Sequence, residues 1–586
     1  MKIFYCSVFD NIGYSSDNAK LRELENLGNI VAPYNYRIRG IQLGSNQLFS
    51  KKRDQEIVNF CKDWNPDFII FSKCDGISLE TFEECKKIAP LCYWFLDPLV
   101  TYSFEEFYEK TRIADFFLCD KKNVLDKART LNDNCFLVTD GFDRLLEKPK
   151  DVEKVYDVSF IGNLYGDRKS KISKINHKVE IINKVFADKH SEAVSKSKIN
   201  LNFCTTDGQS DRVFKVLAAG GFILSDDWAD REEFFVDGED LVIFKDFEDL
   251  NQKINYYLNN DREREKIAQS GREKVQKYTR QQWAKRTIDT FKSFNFAARG
   301  SKNKKPTILF AGPWVGEFGW ELFAWQGYIR SLSKFYDKII CISSSSSRFL
   351  YEDFCDDFIE FLPDSGEYKD SFYKVGFEIN GKLIMELIKK NGIDIHQDSL
   401  HILVPRRIGD PPRTRLEEKF VFGPLYVSPT YKKLGIKTSS NNLIIHARNR
   451  TLRSQDNWPE QKWKILIDKL KDIGYNVISV GLKQESMHVE GTEDKRGCQQ
   501  QELLNMLASA KCIFGPSSGA MHLASLCGCP QIVWSDKSNF VRYTKNWNPF
   551  SAEVLFLSEY DWQPKPEYIF KKFEEWKNEN ICDSIK

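Results

Sequence analysis

The chain has 586 residues, 41% hydrophobic and 14% aromatic, which is too long for one core, too apolar for disorder, and enough for about four ordinary domains. A formal charge of +2, from 86 basic and 84 acidic side chains, gives no sign on global balance of a nucleic-acid or membrane partner, so a nucleic acid is unlikely and membrane contact, if made, is expected to be peripheral. No run reaches the roughly 20 apolar residues that cross a bilayer, and fifteen scattered cysteines without a C-x-x-C pair, behind an opening MKIFYCSVFDN with no secretory apolar region, read as a reducing cytoplasm.

Apolar runs and amphipathic stretches alternate through the first half: strands at Lys2 to Cys6, Phe68 to Phe71, Cys92 to Phe95 and Phe116 to Cys119, with helices near Ala19 to Leu27 and from Leu79. Such alternation predicts parallel sheets, hence an α/β fold. A second series starts at Val158 to Ile161 and runs through Ile199 to Phe203, Phe222 to Ser225 and Leu241 to Phe244, then a long charged helical pattern from Asp261 to Phe294. Gly162 and Asn163, after a strand, allow close approach of backbone to a ligand, and Arg168 and Arg212 are placed to neutralise a diphosphate.

The polar, basic stretch at 297–306 reads as the main linker, after which Thr307 to Ala311 is a fresh strand. It runs into Gly-Pro-Trp-Val-Gly-Glu317-Phe-Gly-Trp-Glu321, a Gly-rich turn and an aromatic helix start that carry two acids. A carboxylate there suits a general base, Glu321 first and Glu317 next, and Trp314, Trp320 and Trp325 are either sugar platforms or core. The Ser343 to Ser347 run reads as a polar loop and Pro405 to Arg415 as a basic connection.

Further on, strand Leu443 to Ile445 precedes a loop with Arg448, Arg450 and Arg453, and a helix follows near Trp458-Pro459. Strand Cys512 to Phe514 leads through Gly-Pro-Ser517-Ser518-Gly519 into a helix ending at Gly528, whose first amides are free to grip phosphate. Two such loops at neighbouring strand ends make a crevice for a diphosphate. His446 and His522 read as structural histidines rather than catalysts, each beside an apolar strand or helix face, with His522 also on the helix turn that faces the donor. A strand, loop, helix, Gly, strand, Ser-Asp order recurs between Ile199 to Asp226 and Cys512 to Asp536, which supports tandem sheets. These readings divide the chain into 1–150, 151–296, a linker at 297–306, 307–440 and 441–586.

Trp458-Pro459 with Trp463, Val480-Gly481, and Ser518-Gly519 with His522-Leu-Ala524 resemble the nucleotide-binding half of the heptosyltransferase-like (family 9) glycosyltransferases of the GT-B fold. That family usually has an acid where Ser517 stands and a lysine before Trp-Pro, where this chain has Asp456-Asn457. Tyr156 to Gly162, Arg168, Lys198 to Asn202, Arg212-Val-Phe214, Leu217 to Gly221, Trp94-Phe-Leu-Asp97-Pro98 and Val138-Thr-Asp-Gly141 resemble the CgeB-like GT-B enzymes related to family 4. In that group a glutamate usually follows the helix Phe; here Lys215 does, and a cation cannot accept hydrogen bonds from ribose hydroxyls.

The resemblances imply two tandem GT-B modules, each of two Rossmann-like domains, transferring sugars from nucleotide-sugar donors to a glycan or glycolipid. They imply inversion in the second module and retention in the first, with Asp97 a catalytic candidate. Neither metal nor other cofactor is expected, since the seven histidines include no pair at metal-ligand spacing and no Asp-x-Asp ends a strand. Surface polysaccharide or lipopolysaccharide synthesis is the family-level default. Lys215 leaves three alternatives: Glu232 or Glu233 holds the ribose, the donor differs, or that half is a silent binding scaffold. A transferase acting on modified DNA bases stays a further alternative.

Overall fold

A computed structural model describes residues 1–10, 13–43, 49–97, 104–204, 210–297, 299–300, 306–362, 381–394, 399–405, 423–451 and 453–583. They form two compact units, Met1–Lys305 with Gly423–Tyr426, and Pro306–Phe422 with Val427–Lys586.

The first unit holds two parallel sheets. One comprises β1 (Lys2–Ser7), β2 (Ile30–Asn35), β3 (Phe68–Ser72), β4 (Leu91–Phe95), β5 (Phe116–Cys119) and β6 (Cys135–Leu137), in the order β2-β1-β3-β4-β5-β6. Strands such as Phe-Ile-Ile-Phe-Ser are apolar along their whole length because helices cover both faces, so the strict alternation of a half-exposed strand is missing. The other comprises β7 (Tyr156–Ile161), β8 (Val179–Ile182), β9 (Ser197–Asn202), β10 (Ile223–Ser225) and β11 (Val242–Ile243), in the order β11-β10-β9-β7-β8, with a separate apolar cluster on each face.

The charged stretch expected as one helix from Asp261 to Phe294 is two, Asp261–Val275 and Arg280–Ser293. The break follows from a local cap: the Thr279 side chain accepts from the Gln282 amide and restarts the helix in a new direction. The second helix leaves its own sheet and packs on the first, where Trp283 meets Tyr5 and Trp94, and Phe291 stacks on Phe68 at 4.4 Å. At the crossing, Phe142 pairs with Thr279, and Gly141 has φ +67° with Tyr278 O only 2.0 Å from where a Cβ would stand. Gly141→Ala is therefore expected to cost on the order of 3 kcal/mol, read as a lower urea midpoint at unchanged m-value.

The second unit repeats the plan. Its first sheet is β12 (Thr307–Ala311), β13 (Lys338–Ser343), β14 (Asp357–Glu360) and β15 (Ser399–Leu403), in the order β14-β13-β12-β15. Its second is β16 (Asn442–Ile445), β17 (Asn476–Ser479), β18 (Glu493–Asp494), β19 (Cys512–Pro516), β20 (Gln531–Trp534) and β21 (Val554–Leu557), in the order β18-β17-β16-β19-β20-β21. Trp458, Trp463 and Trp534 are fully buried together in its core, which explains the Trp-Pro and Trp spacing as packing. The α/β class with four parallel, Rossmann-like sheets is as expected. Among the described residues no helix is long and apolar enough to cross a membrane.

Candidate functional site

In the first unit the carboxyl end of β7 delivers Gly162 at φ +144°, and a Cβ there would lie 2.7 Å from the Arg212 guanidinium. Arg212, in the first turn of the helix Asp211–Ala218, donates from Nε to Ile161 O at 2.8 Å and from Nη1 to Asn202 Oδ1 at 2.8 Å. Arg168 is 5% exposed and donates to the carbonyls of Asn163 and Phe203. Both guanidiniums lie over Phe160, at 5.7 Å for Arg168 and 4.7 Å for Arg212. Burial, then the neighbouring Arg168, push the Arg212 guanidinium down to about 10. Among the described residues no carboxylate forms an ion pair with Arg212, whose hydrogen bonds go to neutral oxygens. Two cations gathered this way raise the local potential toward an anion.

The other first-unit candidates have different surroundings. Asp97 pairs with Lys73. Lys215 pairs with Asp211 at 3.3 Å, Glu233 with Lys122 at 2.8 Å, and Glu232 points to solvent beside Arg231. Pro98 and the 205–208 loop lie outside the described residues, as does 406–415 of the basic connection.

A buried charge network that the sequence reading missed sits where the chain crosses between the two sheets of this unit. Asp140, 1% exposed, pairs with Lys20, which is fully buried, accepts from Ser16 Oγ at 2.6 Å, and meets Arg280 Nη2 at 3.1 Å. Lys20 also lies 4.6 Å from the Trp94 ring. Burial alone raises the Asp140 carboxyl, but Lys20 and Arg280 more than offset it and hold the group well below the usual carboxylate range. The Val138-Thr-Asp-Gly motif was the available signal, though nothing in a sequence pairs Asp140 with partners 120 and 140 positions away.

In the second unit, β16 and β19 are neighbours, paired Ile445 to Phe514, so both candidate loops leave the same sheet edge side by side. Arg448, 4% exposed, and Arg453 share Asp456, with Arg453 Nε at 2.9 Å, and both guanidiniums face the Trp562 ring. Arg450 is fixed through its backbone, which exchanges two hydrogen bonds with the Asn457 side chain. His446 is buried, with Nδ1 near Val480 O, and burial lowers it to about 4.

The helix Gly519–Cys527 starts without a side-chain cap. Tyr543 takes that place in part: its hydroxyl accepts from the Ser518 amide at 3.2 Å and donates to Ser517 Oγ at 3.0 Å. The cationic loop and the Ser-Ser-Gly turn leave paired strands, and Arg542 lies over Trp547, which meets His522 of the same helix. His522 is 5% exposed, stacks on Tyr543 at 4.3 Å, and its Nδ1 has no hydrogen-bond partner among the described residues; burial, then Arg542, keep it neutral.

The β12 turn reaches this helix from the other domain of the unit. A Cβ on Gly319 would stand 3.2 Å from the His522 ring, and one on Gly519 would stand 3.3 Å from Phe318. Trp320 and Phe323 close against Trp547, with Arg542 over Trp320 and Trp547. Trp314 and Trp325 are core, stacked on each other at 5.7 Å. Glu317, just ahead of Phe318, is partly exposed with no hydrogen bond from its side chain to the helix it precedes. Glu321 differs: it is 3% exposed, and its oxygens accept from Ser343, from Ser347 at 2.7 Å and from Tyr351 at 2.7 Å. Burial pushes its carboxyl up and the three hydroxyls pull it partly back. Two five-residue π-helical turns, Glu321–Trp325 and Arg542–Asn546, flank this junction, a local geometry that often accompanies sites. Tyr543, Arg542, Trp547 and Trp562 were not singled out from sequence, because no motif or periodicity marks them.

Residues 143–289 match the sequence model of a family described as glycosyl transferase-like. No curated protein matches the chain. Among solved structures, Anabaena HepE, crystallised with UDP and glucose, is 12% identical over 50% of this chain and 100% of its own, at a TM-score of 0.39. The lipopolysaccharide outer core galactosyltransferase WaaB is 12% identical over 50% and 100%, at 0.36. The iron-containing heptosyltransferase TibC, in complex with ADP-D-beta-D-heptose, is 15% identical over 44% and 63%, at 0.28.

Proposed function

We propose that the chain is a metal-independent glycosyltransferase of two GT-B modules that take nucleotide-sugar donors and build a glycan or glycolipid of the cell surface. One observation carries this reading: in each unit, arginines gather beside a glycine-bearing turn at the carboxyl edge of a parallel sheet, Arg212 against Gly162 in the first and Arg448 after the strand paired with the one that leads into Ser517-Ser518-Gly519 in the second, the place where such folds hold a diphosphate. In the first module Arg168 and Arg212 meet the departing nucleotide diphosphate, and retention follows from the family 4 resemblance. In the second, Arg448, Arg450 and Arg453 on one loop, with Ser517, Ser518, the Gly519 amide and His522 on the other, hold the donor.

The base of the second module is placed at Glu317. Its carboxylate removes the acceptor hydroxyl proton, the oxygen bonds to the anomeric carbon, and the bond to the diphosphate breaks, with inversion. The leaving phosphate's new charge is met by the helix-start amides and Arg448. Glu321 is enclosed by hydroxyls that donate to it, so it shapes the helix rather than reaching an acceptor. Glu317→Gln is expected to lower transfer by about 100-fold to 1,000-fold with donor affinity retained. Glu321→Gln is expected to leave the pH profile of the rate in place. The assay is nucleotide release from UDP-, GDP-, ADP- and CMP-sugars; an unaffected Glu317→Gln enzyme overturns the assignment of the base.

A second reading is favoured by the Lys215 to Asp211 ion pair, which sits on the first module's candidate helix where a ribose-binding acid is expected. There the first module binds a nucleotide or glycan without turnover. It predicts that sugar nucleotides raise the melting temperature while every measurable release disappears with Glu317→Gln.

A further inference from the structure

The amino edge of the first unit's second sheet carries a cavity of about 270 Å³, at the opposite edge from Gly162 and Arg212. Its walls are Lys154 just before β7, Lys198 at the start of β9, Phe222 just before β10, and one face of the helix Asp261–Val275. Lys198 is separated by roughly 13 Å of strand from Asn202, whose side chain holds Arg212 at the other edge. On the helix, Arg264, Ala268 and Arg272 follow one another at the spacing that sets side chains in a single row, and Glu265 lies beside that row.

Four cations and one acid line this space, and the cations differ in what already neutralises them. Lys198 pairs with Asp157 at 2.6 Å, and Arg264 pairs with Asp261 at 2.7 Å. The Lys154 ammonium donates to the carbonyls of Ser195 and Ser197, and among the described residues neither it nor Arg272 pairs with a carboxylate. Arg264 is 3% exposed and spends Nη1 on Tyr257 O and Asp261; its Nε and Nη2 have no hydrogen-bond partner among the described residues. Partial burial, then Arg264, lower the Lys154 ammonium, so an anion between the two relieves their repulsion. Glu265, which is exposed, opposes that anion.

An open guanidinium edge suits a phosphate or a carboxylate, and charge decides between them. A phosphate monoester carries about −1.5 to −2 at pH 7 and meets both unpaired cations, whereas a carboxylate leaves one unmet. The cavity lies just below the roughly 300–1,000 Å³ of small-molecule sites, which is more than a bare phosphate fills and too little for a nucleotide sugar. Phe222 and Pro149 give it an apolar wall against which a ring can lie.

We propose that this cavity binds a phosphate monoester carried on a sugar, at a site separate from the one that faces Arg212. Arg264 donates from Nε and Nη2 to two phosphate oxygens, and Lys154 and Arg272 supply the counter-charge. A free sugar phosphate and a phosphorylated unit of a glycan share this chemistry. The site stands whether or not the chain transfers sugars, because none of its residues belongs to the donor loops.

The probe is glucose 6-phosphate, titrated calorimetrically into the full-length chain. Binding is expected to persist in Arg212→Gln and in the presence of UDP, GDP and ADP. Lys154→Gln and Arg272→Gln, both at exposed positions where the fold tolerates the change, are each expected to weaken it by about 10-fold. Glu265→Gln is expected to tighten it several-fold, a gain that a merely structural role does not produce. Inorganic phosphate is expected to bind more weakly, and glucose not at all. An oligosaccharide ending in mannose 6-phosphate separates the two sources: tighter binding than the free sugar phosphate assigns the site to a glycan, and weaker binding to a free metabolite. The proposal is overturned by a wild-type chain that binds neither phosphorylated probe, by binding lost in Arg212→Gln, by equal affinity for inorganic phosphate, or by an affinity that the changes at Lys154, Arg272 and Glu265 leave unmoved.

Discussion

Asp140→Asn is expected to be the most destabilising single change in the first unit, by about 3–5 kcal/mol, because it leaves two buried cations without their shared counter-charge. Lys20 is fully buried and Arg280 is 2% exposed, so neither reaches water when the carboxylate is removed. Hydrophobic replacement of all three is a different experiment and costs less, since the desolvation of the ions disappears with them. The pH dependence has a definite sign. Asp140 is held below its ordinary range in the folded state, so its contribution is fully present above the unfolded-state value of about 4 and is lost as pH falls below it. The check is equilibrium urea unfolding of wild type and Asp140→Asn from pH 3 to pH 7. The gap is expected to hold from pH 7 to about pH 4 and to narrow by about 1 kcal/mol at pH 3 without closing, and a gap unchanged across that range defeats the electrostatic account. Because Asp140 and Arg280 lie where the chain passes between the two sheets, the same variant is expected to weaken donor binding by loosening the placement of the domains.

Arg212→Gln is expected to separate binding from stability. The arginine is desolvated beside Arg168, so removing its charge relieves a like-charge repulsion, and glutamine retains an amide donor for the neighbouring oxygens. Unfolding free energy is therefore expected to stay within about 1 kcal/mol of wild type. Nucleotide diphosphate affinity in the first module is expected to fall by about 30-fold to 100-fold, the loss of one charge-assisted contact of roughly 2–3 kcal/mol. Isothermal titration with UDP, GDP and ADP reads the affinity, and thermal denaturation without ligand reads the stability. A variant that loses several kcal/mol and keeps its affinity would make Arg212 a structural residue and would take the first diphosphate site with it. Gly162→Ala supplies an independent check, because the new methyl displaces the guanidinium without removing its charge.

Much of the architecture is legible in the chain. The strand cores at Phe68, Leu91 and Phe116 are continuous apolar runs that no helix period produces, and the punctuation at Gly162, Gly312 and Gly528 marks where β and α segments meet. Loop chemistry at strand ends was equally readable: Arg448 and the Ser517-Ser518-Gly519 turn leave adjacent strands because β16 and β19 pair. The long charged stretch was misleading, since 261–294 keeps helical composition throughout. What divides it is the Thr279 cap and the crossing onto the first sheet, a contact between residues far apart in the chain.

Period, turn chemistry and charge are local properties of a chain, so the class of fold, the alternation that makes four parallel sheets, and the loops that bear cations and glycines are all legible in the residues alone. Which acid is enclosed and which stays partly exposed depends on segments that meet in space. Glu317 and Glu321 are four residues apart in one Gly-rich turn, and what separates them is the closure of Ser343, Ser347 and Tyr351 over Glu321 alone. Likewise Asp140, unremarkable in its motif, acquires its charge environment from Lys20 and Arg280. Burial and ion pairing are set by segments that meet in space, and desolvation then changes what a side chain can do, so those roles emerge from packing.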